Sequence, residues 1–536
     1  MRDFTHGLFS VPSKEERIRA RAGAPLNPFK LAAMLTPMEA AFFFSGWLAW
    51  TVDAWDFFAV SLSVGRLTEY FGFGEDRHKV TTAITLTLLF RSLGAVIFGI
   101  LSDRYGRKWP LVINLLIVSV LSLGTGYVRT FNEFLAVRSL FGVGMGGIWG
   151  MATTTALENM PAAPRGLFSG ILQQGYAVGY LLAASVNISY VNRTNNFRIL
   201  FFLGSGVSLF AAGVRLLLPE SPLFLRVAEE RRQAGGDGQN KASAFMSELK
   251  QMLKTNWLRC IYGVLLMTGF NFFSHASQDV YPLIMQESKL LSSYKATEAT
   301  IIGNCGAIFG GLIAGYISQY LGRRLTIIIF VILAGVMIPA WILPNSFSGL
   351  AAGAFFVQMG VQGAWGVVPI LLSEISPPAF RATFPGVAYQ LGNMASSASA
   401  QIETTGGDNL RRPNPKYVPG STLPETIPDY ATVSAIFLGV IVVYLLIVVS
   451  LGPEYRGAEF EKAPLATQPG AGAADAKDLV GLSGQTRRAD GGSEDDHISE
   501  KGDLEKGGLR ADNGHLGTST PPSDKDSEGH SAHLKA

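Results

Sequence analysis

Two stretches of ten residues decide the fold: "GILSDRYGRK" at residues 99–108 and "GYISQYLGRR" at residues 315–324. They begin 216 positions apart, and the same shift relates "GVGMGGIWG" at 142–150 to "QMGVQGAWG" at 358–366. Six more residues recur at this shift: Glu158 and Glu374, Pro161 and Pro377, Arg165 and Arg381, Phe168 and Phe384, Gly170 and Gly386, and Gln174 and Gln390. The chain is therefore an internal duplication, and each half is one copy of the same unit.

The composition is typical of a membrane protein built from helices. Of the 536 residues, 48% are hydrophobic and only 16% are charged, whereas soluble domains have about 25% charged residues. Apolar runs of about 20 residues, long enough to cross a bilayer as a helix, recur through the chain. They predict an all-α integral membrane protein with twelve spans, at 40–63, 80–101, 110–128, 134–154, 167–190, 199–218, 259–284, 297–318, 324–343, 348–372, 382–401 and 431–452.

Cationic residues predict which side of the membrane each loop faces. Lys and Arg are frequent in the N-terminal arm (1–38), in the link after span 2 and in the central loop (219–258). Cytoplasmic loops favour these residues, and twelve spans put both termini on the same side. We therefore expect a cytoplasmic arm, central loop and tail. The central loop separates an N-terminal bundle (39–218) from a C-terminal bundle (259–452), each with six spans.

The tail (453–536) is rich in Gly, Ser and charged residues, which predicts disorder. It is either merely solvated, or it is a regulatory tail whose modified lysines and serines engage turnover machinery.

The sequence also argues against several functional classes. No basic stripe with aromatic residues indicates a nucleic-acid partner. Cys260 and Cys305 fit no metal-binding spacing, so neither a metal nor a cofactor is expected. The polar, basic start of the chain predicts no cleaved signal peptide. Nothing in the pattern points to an enzyme.

A duplicated six-span unit suits a transporter that rocks two bundles around a central site. The alternative is a duplicated scaffold without a transport role. Charges at the cytoplasmic ends of the spans can pair across helices in one state and separate in the other, forming a latch. The predicted latch residues are Asp103, Arg107, Lys108, Glu158, Arg165, Glu374 and Arg381. Gln319 stands where the first copy has Asp103, which predicts a weaker second latch, and positive-inside anchoring alone is the alternative for the whole set.

The stretch at 99–108 resembles the signature loop of the major facilitator superfamily. It keeps Gly99, Asp103, Gly106, Arg107 and Lys108 at the family's spacing between spans 2 and 3. "RSLFGVGMGG" at 138–147 is similar to the family's fourth span, where glycines let helices approach closely. The resemblance covers residues 40–452 and implies the major facilitator fold: twelve transmembrane helices in two pseudo-symmetric six-helix bundles.

Ionisable residues inside the spans are functional candidates, because a charge at the middle of a bilayer costs about 2.5–3.5 kcal/mol. Arg91 lies near the middle of span 2, and Asp53 and Asp56 lie three residues apart in span 1. A guanidinium can bind a carboxylate through two parallel hydrogen bonds, so Arg91 is the predicted anion clamp. The alternative is a structural ion pair between Arg91 and either aspartate.

Span 7 carries a polar stripe in "NFFSHASQDVYP" at 271–282. Asn271, His275 and Asp279 are spaced i, i+4 and i+8, and Ser274 and Gln278 flank them on the same face. Imidazole titrates near neutral pH, and the carboxylate one turn away favours its protonated form. The stripe predicts proton binding at His275 and Asp279, beside a substrate path lined by Asn271, Ser274 and Gln278. A histidine that only bonds a neighbouring helix is the alternative.

Span 11 offers two amides on one face, Gln390 and Asn393, that could hydrogen-bond a small ligand. Gln174 in span 5 is the repeat mate of Gln390 and is predicted to join them. The alternative is polar packing between helices.

The span 7 stretch resembles the N-x-x-S/T-H-x-S/T-Q-D-x-x-x-T signature of fungal Jen-type monocarboxylate/proton symporters, which belong with the sialate/proton symporter group. Every position matches except the last, where Leu283 replaces threonine. The resemblance implies that Asn271, His275 and Asp279 act in substrate recognition and proton coupling. It also implicates an arginine in span 2 and the amide pair in span 11, and Arg91, Gln390 and Asn393 occupy those contexts.

The resemblance implies a proton-coupled symporter of small carboxylates such as lactate, pyruvate or acetate, with the bilayer, a carboxylate and a proton as partners. A carrier of dicarboxylates or of another organic anion is one alternative, and a nutrient sensor that signals through its tail is another. Asn192-Arg193-Thr194 is a glycosylation acceptor pattern in the loop after span 5, on the predicted outer face. We therefore expect a multi-pass plasma-membrane protein, with an internal membrane as the alternative.

Overall fold

The structure is a computed structural model that describes residues 25–73, 77–233, 241–420 and 424–475, except 459, 461, 462, 465, 467 and 469. The first 24 residues of the predicted arm, and the predicted tail from 476 onward, lie outside the described residues.

The first half of the chain forms the predicted spans 1 to 6. Their helices are Pro37–Tyr70, Arg77–Tyr105, Lys108–Tyr127, Phe131–Gly146 continued by Ile148–Leu157, Arg165–Val186 and Arg198–Leu217. A short helix, Pro28–Ala32, precedes span 1, and a π-helical turn, Asn187–Val191, and a helical turn, Asn192–Thr194, follow span 5. Two helices, Pro222–Gln233 and Lys241–Thr255, form most of the predicted central loop.

The second half forms spans 7 to 12. Their helices are Trp257–Gln278, Ser293–Leu321, Arg323–Ile342, Phe347–Ile375, Thr383–Ser396 continued by Ser399–Asn409, and Tyr430–Leu451. Span 7 continues through Tyr281–Leu283 and a π-helical turn, Ile284–Ser288. Short 3₁₀ turns lie at Pro378–Phe380 and Ala471–Ala473, and Arg411–Pro413 pairs antiparallel with Thr426–Pro428 between spans 11 and 12.

The all-α, twelve-span architecture is therefore confirmed. Within the described residues, eight of these helices are long and apolar enough to cross a membrane by length and composition alone. The other four are spans 1, 5, 7 and 11, which are broken or carry the polar residues of the centre.

Local sequence explains where the helices begin and turn. Thr36 and Glu39 form a capping box at the start of span 1, and Thr130 and Glu133 form the same motif at the start of span 4. In the two repeat-related turns after spans 2 and 8, Gly106 and Gly322 have φ of 99° and 102°, a region that favours glycine.

Glycines let the two bundles meet without intervening side chains. A Cβ atom on Gly170 in span 5 would clash with the backbone carbonyl of Gly311 in span 8. On the other side of the molecule, a Cβ on Gly99 in span 2 would press against Thr383 at the start of span 11. Dispersion contacts and backbone proximity drive helix association in lipid, so these glycines fix the interface between the bundles.

The start of the predicted disordered tail is packed in the structure. Ala458 and Phe460 are buried, Ala471 is buried further along, and Asp475 pairs with Arg259 at 2.7 Å. The backbone N–H groups of Gly470 and Gly472 donate to the carboxylate of Glu248 in the central loop. The disorder predicted from residue 453 is thus not found in the described residues up to 475. Averaging composition over the whole tail hid the few apolar side chains near its start.

Candidate functional site

Two of the cavities along the boundary between the bundles are lined by residues of the polar stripe in span 7. The larger one has a volume of about 670 Å³ and lies at the ends of the spans opposite the predicted latch. Its lining includes Phe57, Arg66, Asp279, Gln286 and Thr404. We call it the outer cavity. Leu283, the position that departs from the Jen-type signature, lines this cavity, so an apolar side chain stands there in place of a hydroxyl.

A smaller, central cavity lies deeper between the bundles. It brings together five residues singled out from the sequence: Arg91, Asn271, Ser274, His275 and Asn393. The other lining residues are Trp50, Phe57, Gln173, Tyr176, Trp365 and Tyr389. Aromatic walls with a few convergent polar groups are typical of small-molecule sites. The cavity measures only about 10 Å³, room for about one water molecule, so its walls must move apart before a substrate can enter.

Arg91 enters this cavity from span 2 and pairs with Asp53 of span 1. The Arg91 Nη2 and Asp53 Oδ2 atoms are 2.5 Å apart, and both side chains are buried. A Cβ on Gly146 would clash with the Arg91 carbonyl, so glycine lets span 4 pack against the backbone at this point. The Arg91 Nε and the Asp53 Oδ1 have no hydrogen-bond partner among the described residues. The ion pair therefore leaves donor and acceptor capacity unused.

Asp56 does not pair with Arg91, contrary to one of the predicted alternatives. Its carboxylate accepts from the hydroxyls of Ser122, at 2.7 Å, and Ser208, at 3.2 Å. One turn separates Asp56 from Asp53, but its side chain lies among spans 3 and 6 instead of facing span 2.

The sequence reasoning missed Arg138 of span 4. Its guanidinium is buried, lies 3.9 Å from the centre of the Phe141 ring, and interacts electrostatically with Asp53 and Asp56. The signal was available, because "RSLFGVGMGG" begins with this arginine. A charge inside a span is a functional candidate, so Arg138 is one on the same ground as Arg91.

His275 bridges the two cavities. Its Nδ1 lies 2.8 Å from Asp279 Oδ2, and its Nε2 lies 2.9 Å from Asn393 Oδ1. Asn393 Nδ2 in turn donates to Gln390 Oε1 at 3.2 Å, which orients the Asn393 amide oxygen toward the ring. Both ring nitrogens therefore face acceptors. This arrangement suits an imidazole that carries two protons, or a proton shared with Asp279.

Three predicted substrate-binding residues lie outside the central cavity. Gln174 packs against Gly311 and donates to the carbonyl of Gly170, while its neighbour Gln173 lines the cavity. Gln278 donates to Gln358 and faces the outer cavity. Gln390 stands behind Asn393 and does not line the cavity itself.

The predicted latch is closed in its first copy. Asp103 lies 3.1 Å from Arg107 and accepts hydrogen bonds from the backbone N–H and hydroxyl of Thr383, at 2.9 and 2.6 Å. Thr383 begins span 11, so this carboxylate joins the two bundles. Arg107 donates to both oxygens of Glu158 at 3.0 and 3.1 Å. Burial alone would lower the pKa of Arg107, but Glu158 and Asp103 outweigh it and raise that pKa. The Lys108 ammonium instead lies over the Trp109 ring.

The second copy repeats the ion pair, and its contact with the other bundle is made by an amide instead of a carboxylate, since Gln319 Nε2 donates to the Ala162 carbonyl before span 5 at 3.3 Å. Arg323 binds Glu374 at 3.0 Å and donates to Gln319 Oε1 at 3.1 Å. The sequence reasoning missed two carboxylates, one in each half, that accept hydrogen bonds from the turns after spans 2 and 8. Glu220 accepts from the backbone of residues 107 and 108, and Glu454 accepts from that of residues 323 and 324.

Glu158 and Glu374 pair with Arg107 and Arg323, whereas Arg165 and Arg381 contact the tail. These two arginines belong to opposite bundles. Their guanidinium groups both stack on the ring of one tail residue, Phe460, at 3.9 and 4.1 Å from the ring centre. Arg165 donates to the Ala458 carbonyl and Arg381 donates to the Phe460 carbonyl. Burial lowers the pKa of Arg381 to about 9, although Glu158 acts in the opposite direction. We call residues 457–475 the tail clamp.

The possible glycosylation pattern lies in the helical turn Asn192–Thr194 after span 5. Span 5 contributes its far end to the outer cavity, so this turn is at the end of the molecule opposite the latch.

Comparison with known proteins agrees with this architecture. Residues 41–466 match the sugar (and other) transporter family. The chain is 35% identical over 441 residues to a carboxylic acid transporter protein homolog of Saccharomyces cerevisiae, covering 80% of this chain and 70% of that protein. It is 26% identical over 363 residues to a cis,cis-muconate transport protein of Acinetobacter baylyi, covering 67% and 85% of the two chains.

A solved structure shares the fold. The proton:xylose symporter XylE bound to 6-bromo-6-deoxy-D-glucose superposes with a TM-score of 0.62 at 18% identity, over 79% of this chain and 98% of that one. At this identity the likeness shows the fold alone. Proteins of this family move solutes across membranes and are not enzymes. With its repeat, its twelve helices and its signature turns, the chain is a membrane transporter that belongs to the sugar (and other) transporter family of the major facilitator superfamily.

Proposed function

We propose that this protein is a proton-coupled symporter of small carboxylates that works by alternating access. The observation that carries the proposal is that a group suited to bind an anion and a group suited to bind a proton line the same central cavity. A buried arginine with unused donors faces a histidine that is bonded to an acid, and the two come from different bundles. The names of relatives from yeast and bacteria, which refer to carboxylic acid and muconate transport, support the choice of substrate class.

Arg91 would bind the substrate carboxylate. A guanidinium in a dry cavity favours a bidentate carboxylate, and Asp53 already occupies one side of Arg91. An incoming carboxylate would therefore compete with Asp53 or bind the free Nε edge. Asn271, Ser274 and Asn393 would supply hydrogen bonds from the opposite bundle, so a bound substrate would draw the bundles together.

His275 and Asp279 would take up the proton. Asp279 lines the outer cavity and His275 lines the central one, so together they connect the entrance to the substrate site. A proton on this pair would offset the negative charge that the substrate brings. Substrate and proton would then enter together, since each lowers the electrostatic cost of the other.

The described arrangement corresponds to the outward-facing state of such a cycle. The outer cavity is open, while Asp103 holds the opposite ends of the two bundles together through Thr383. Inward opening would break this contact and close the outer cavity. Under this proposal the latch residues regulate the balance between the two states, and the tail clamp adds to the closed side.

We further propose that the protein acts at the plasma membrane with both termini in the cytoplasm. The glycosylation pattern at Asn192 and the cationic links at the latch end support this orientation. Peptide N-glycosidase treatment that shifts the wild-type band but not that of Asn192→Gln tests it directly.

Carriage of dicarboxylates or other organic anions is the second candidate. The printed name of the relative from Acinetobacter, a muconate transport protein, favours it. Besides Arg91, the central cavity is lined by neutral polar groups and by His275, so a second carboxylate would have to be bound by the protonated histidine.

Uptake into transporter-free cells tests the proposal. Labelled lactate, pyruvate, acetate and succinate are offered at several external pH values. We expect uptake of monocarboxylates that rises as the external pH falls and collapses when a protonophore removes the gradient. Uptake of no carboxylate, or uptake that ignores external pH, would falsify the proposal. Faster uptake of succinate than of any monocarboxylate would favour the second candidate.

A further inference from the structure

Glu403 is a buried acid that the proposed mechanism does not use. It lies in the outer half of span 11, Ser399–Asn409, and its side chain is 0% exposed. Neither carboxyl oxygen has a hydrogen-bond partner among the described residues. The hydroxyls of Ser399 and Ser434 lie close enough to interact with it, and these hydroxyls are also buried without partners.

The surroundings of Glu403 disfavour a negative charge. Span 7 presents Asp279, a second acid that interacts electrostatically with Glu403. Span 12 presents Ser434 and Tyr430, and the Tyr430 hydroxyl donates to Asp408. Asp429 caps span 12, and Lys289 interacts with it. In the part of the chain that the structure describes, no cationic side chain pairs with Glu403.

A carboxylate without a partner or a counter-charge costs several kcal/mol when it is buried, whereas the protonated acid costs far less. The protonated group also gains a donor, which Ser399 or Ser434 can accept with a small rotation. This cluster is thus built to hold a proton, and the charged group that acts on it among the described residues is the acid of the His275–Asp279 pair.

The position of the cluster relates it to the outer cavity. Span 11 is broken at residues 397–398, between Asn393, which binds His275, and Glu403. The half beyond the break turns Gln401 and Thr404 toward the cavity and Glu403 away from it, toward span 12. This half contacts spans 7 and 12, so a closure of the outer cavity that moves it would change the packing around the acid.

We propose that Glu403, with Ser399 and Ser434, forms a second proton-binding site that releases its proton during the transport cycle. The proton is held while the outer cavity is open. It leaves when the outer half of span 11 moves and the carboxylate gains contact with water or with a donor. Asp279 links this site to the first one, because an added proton on the His275–Asp279 pair reduces the repulsion that Glu403 feels when it ionises.

This inference rests on the proposed carboxylate–proton symport, so its first test measures coupling. In proteoliposomes, the imposed proton gradient that just balances a known substrate gradient gives the number of protons per substrate. We expect Glu403→Gln, which cannot release a proton, to lower this number while substrate counterflow persists. Glu403→Asp keeps an acid and should restore part of the lost proton-to-substrate number. Glu425→Gln, at an exposed acid between spans 11 and 12, is the matched control and should equal wild type.

A second measurement does not depend on transport. Infrared difference spectra between acidic and alkaline buffers report the C=O stretch of each carboxylic acid that ionises. We expect a band in wild type and in Glu425→Gln that is missing from Glu403→Gln, with the same folded fraction by thermal unfolding. Absence of that band, or an unchanged proton-to-substrate number in Glu403→Gln, overturns the site. If the band is present but no carboxylate is carried, the substrate proposal fails and the proton site stands.

If Glu403→Gln does not fold, Ser434→Ala replaces it. Loss of the hydroxyl partner should shift the pH at which the band disappears, and an unshifted band then counts against the site.

Discussion

The ion pair between Arg91 and Asp53 makes a quantitative prediction about a double substitution. Arg91→Ala removes the counter-charge of a carboxylate whose side chain is only 1% exposed. Breaking a buried pair in this way costs about 3–5 kcal/mol of folding stability. Arg91→Ala/Asp53→Ala removes both charges, so most of that loss should return. The two variants therefore separate the structural role of Arg91 from its role toward the substrate.

Substrate affinity should not recover in the double variant. A hydrogen bond to a charged group contributes about 1.5–3 kcal/mol, which corresponds to a roughly 10- to 150-fold higher Kd. Asp53→Ala alone leaves Arg91 without its partner, so this variant should bind the carboxylate at least as tightly as wild type. It should also gain more thermal stability from added substrate, because the ligand replaces the missing counter-charge.

Thermal unfolding in detergent and equilibrium binding of a labelled carboxylate give both quantities. Arg193→Ala, at an exposed arginine of the same bundle, is the control and should change neither. If the double variant binds carboxylate as tightly as wild type, Arg91 is not the anion site. If Arg91→Ala is as stable as wild type, the described pair does not contribute to folding as argued.

Four other sites give further tests. His275→Ala should abolish accumulation driven by a proton gradient while counterflow exchange persists, measured in proteoliposomes; gradient-driven accumulation that survives would contradict the proton role. Asp103→Asn should weaken the latch by about 1.5–3 kcal/mol, seen as faster hydrogen exchange in the first turn of span 11, and unchanged exchange would argue against it. Gly170→Leu should lower both thermal stability and uptake because no space exists beside Gly311, whereas Gly206→Leu, which has open space around it, should be tolerated. Phe460→Ala should lower the unfolding temperature, and an unchanged temperature would mean that the tail clamp contributes no stability.

The sequence predicted the framework of the site because the two halves carry the same pattern, so each signature turn is indicated by two stretches of sequence. A constant shift of 216 positions identified the paired turns, and mid-span charges identified Arg91 and His275. These predictions depend on helix register, which the sequence encodes directly. The cavity accordingly contains Arg91, Asn271 and Asn393.

Rotation of each helix and contacts between distant segments were harder to predict. Gln174 was selected as the repeat mate of Gln390, but one residue turns a helix by about 100°, and Gln173 faces the cavity instead. Glu220 and Glu454 play matching roles at a distance of 234 residues, because the second half has a longer connection before span 12. A search at a single shift could not find them.

The tail clamp also determines where the protein can be labelled. Span 12 ends at Leu451, so a reporter domain joined just after it would appear harmless from the helix boundaries alone. Such a fusion would remove Phe460 from between two arginines of opposite bundles and would expose both guanidinium groups. A fluorescent protein joined after residue 475 leaves those contacts intact. Transport rates measured on a shorter fusion would therefore describe a carrier whose latch end has been loosened by its own tag.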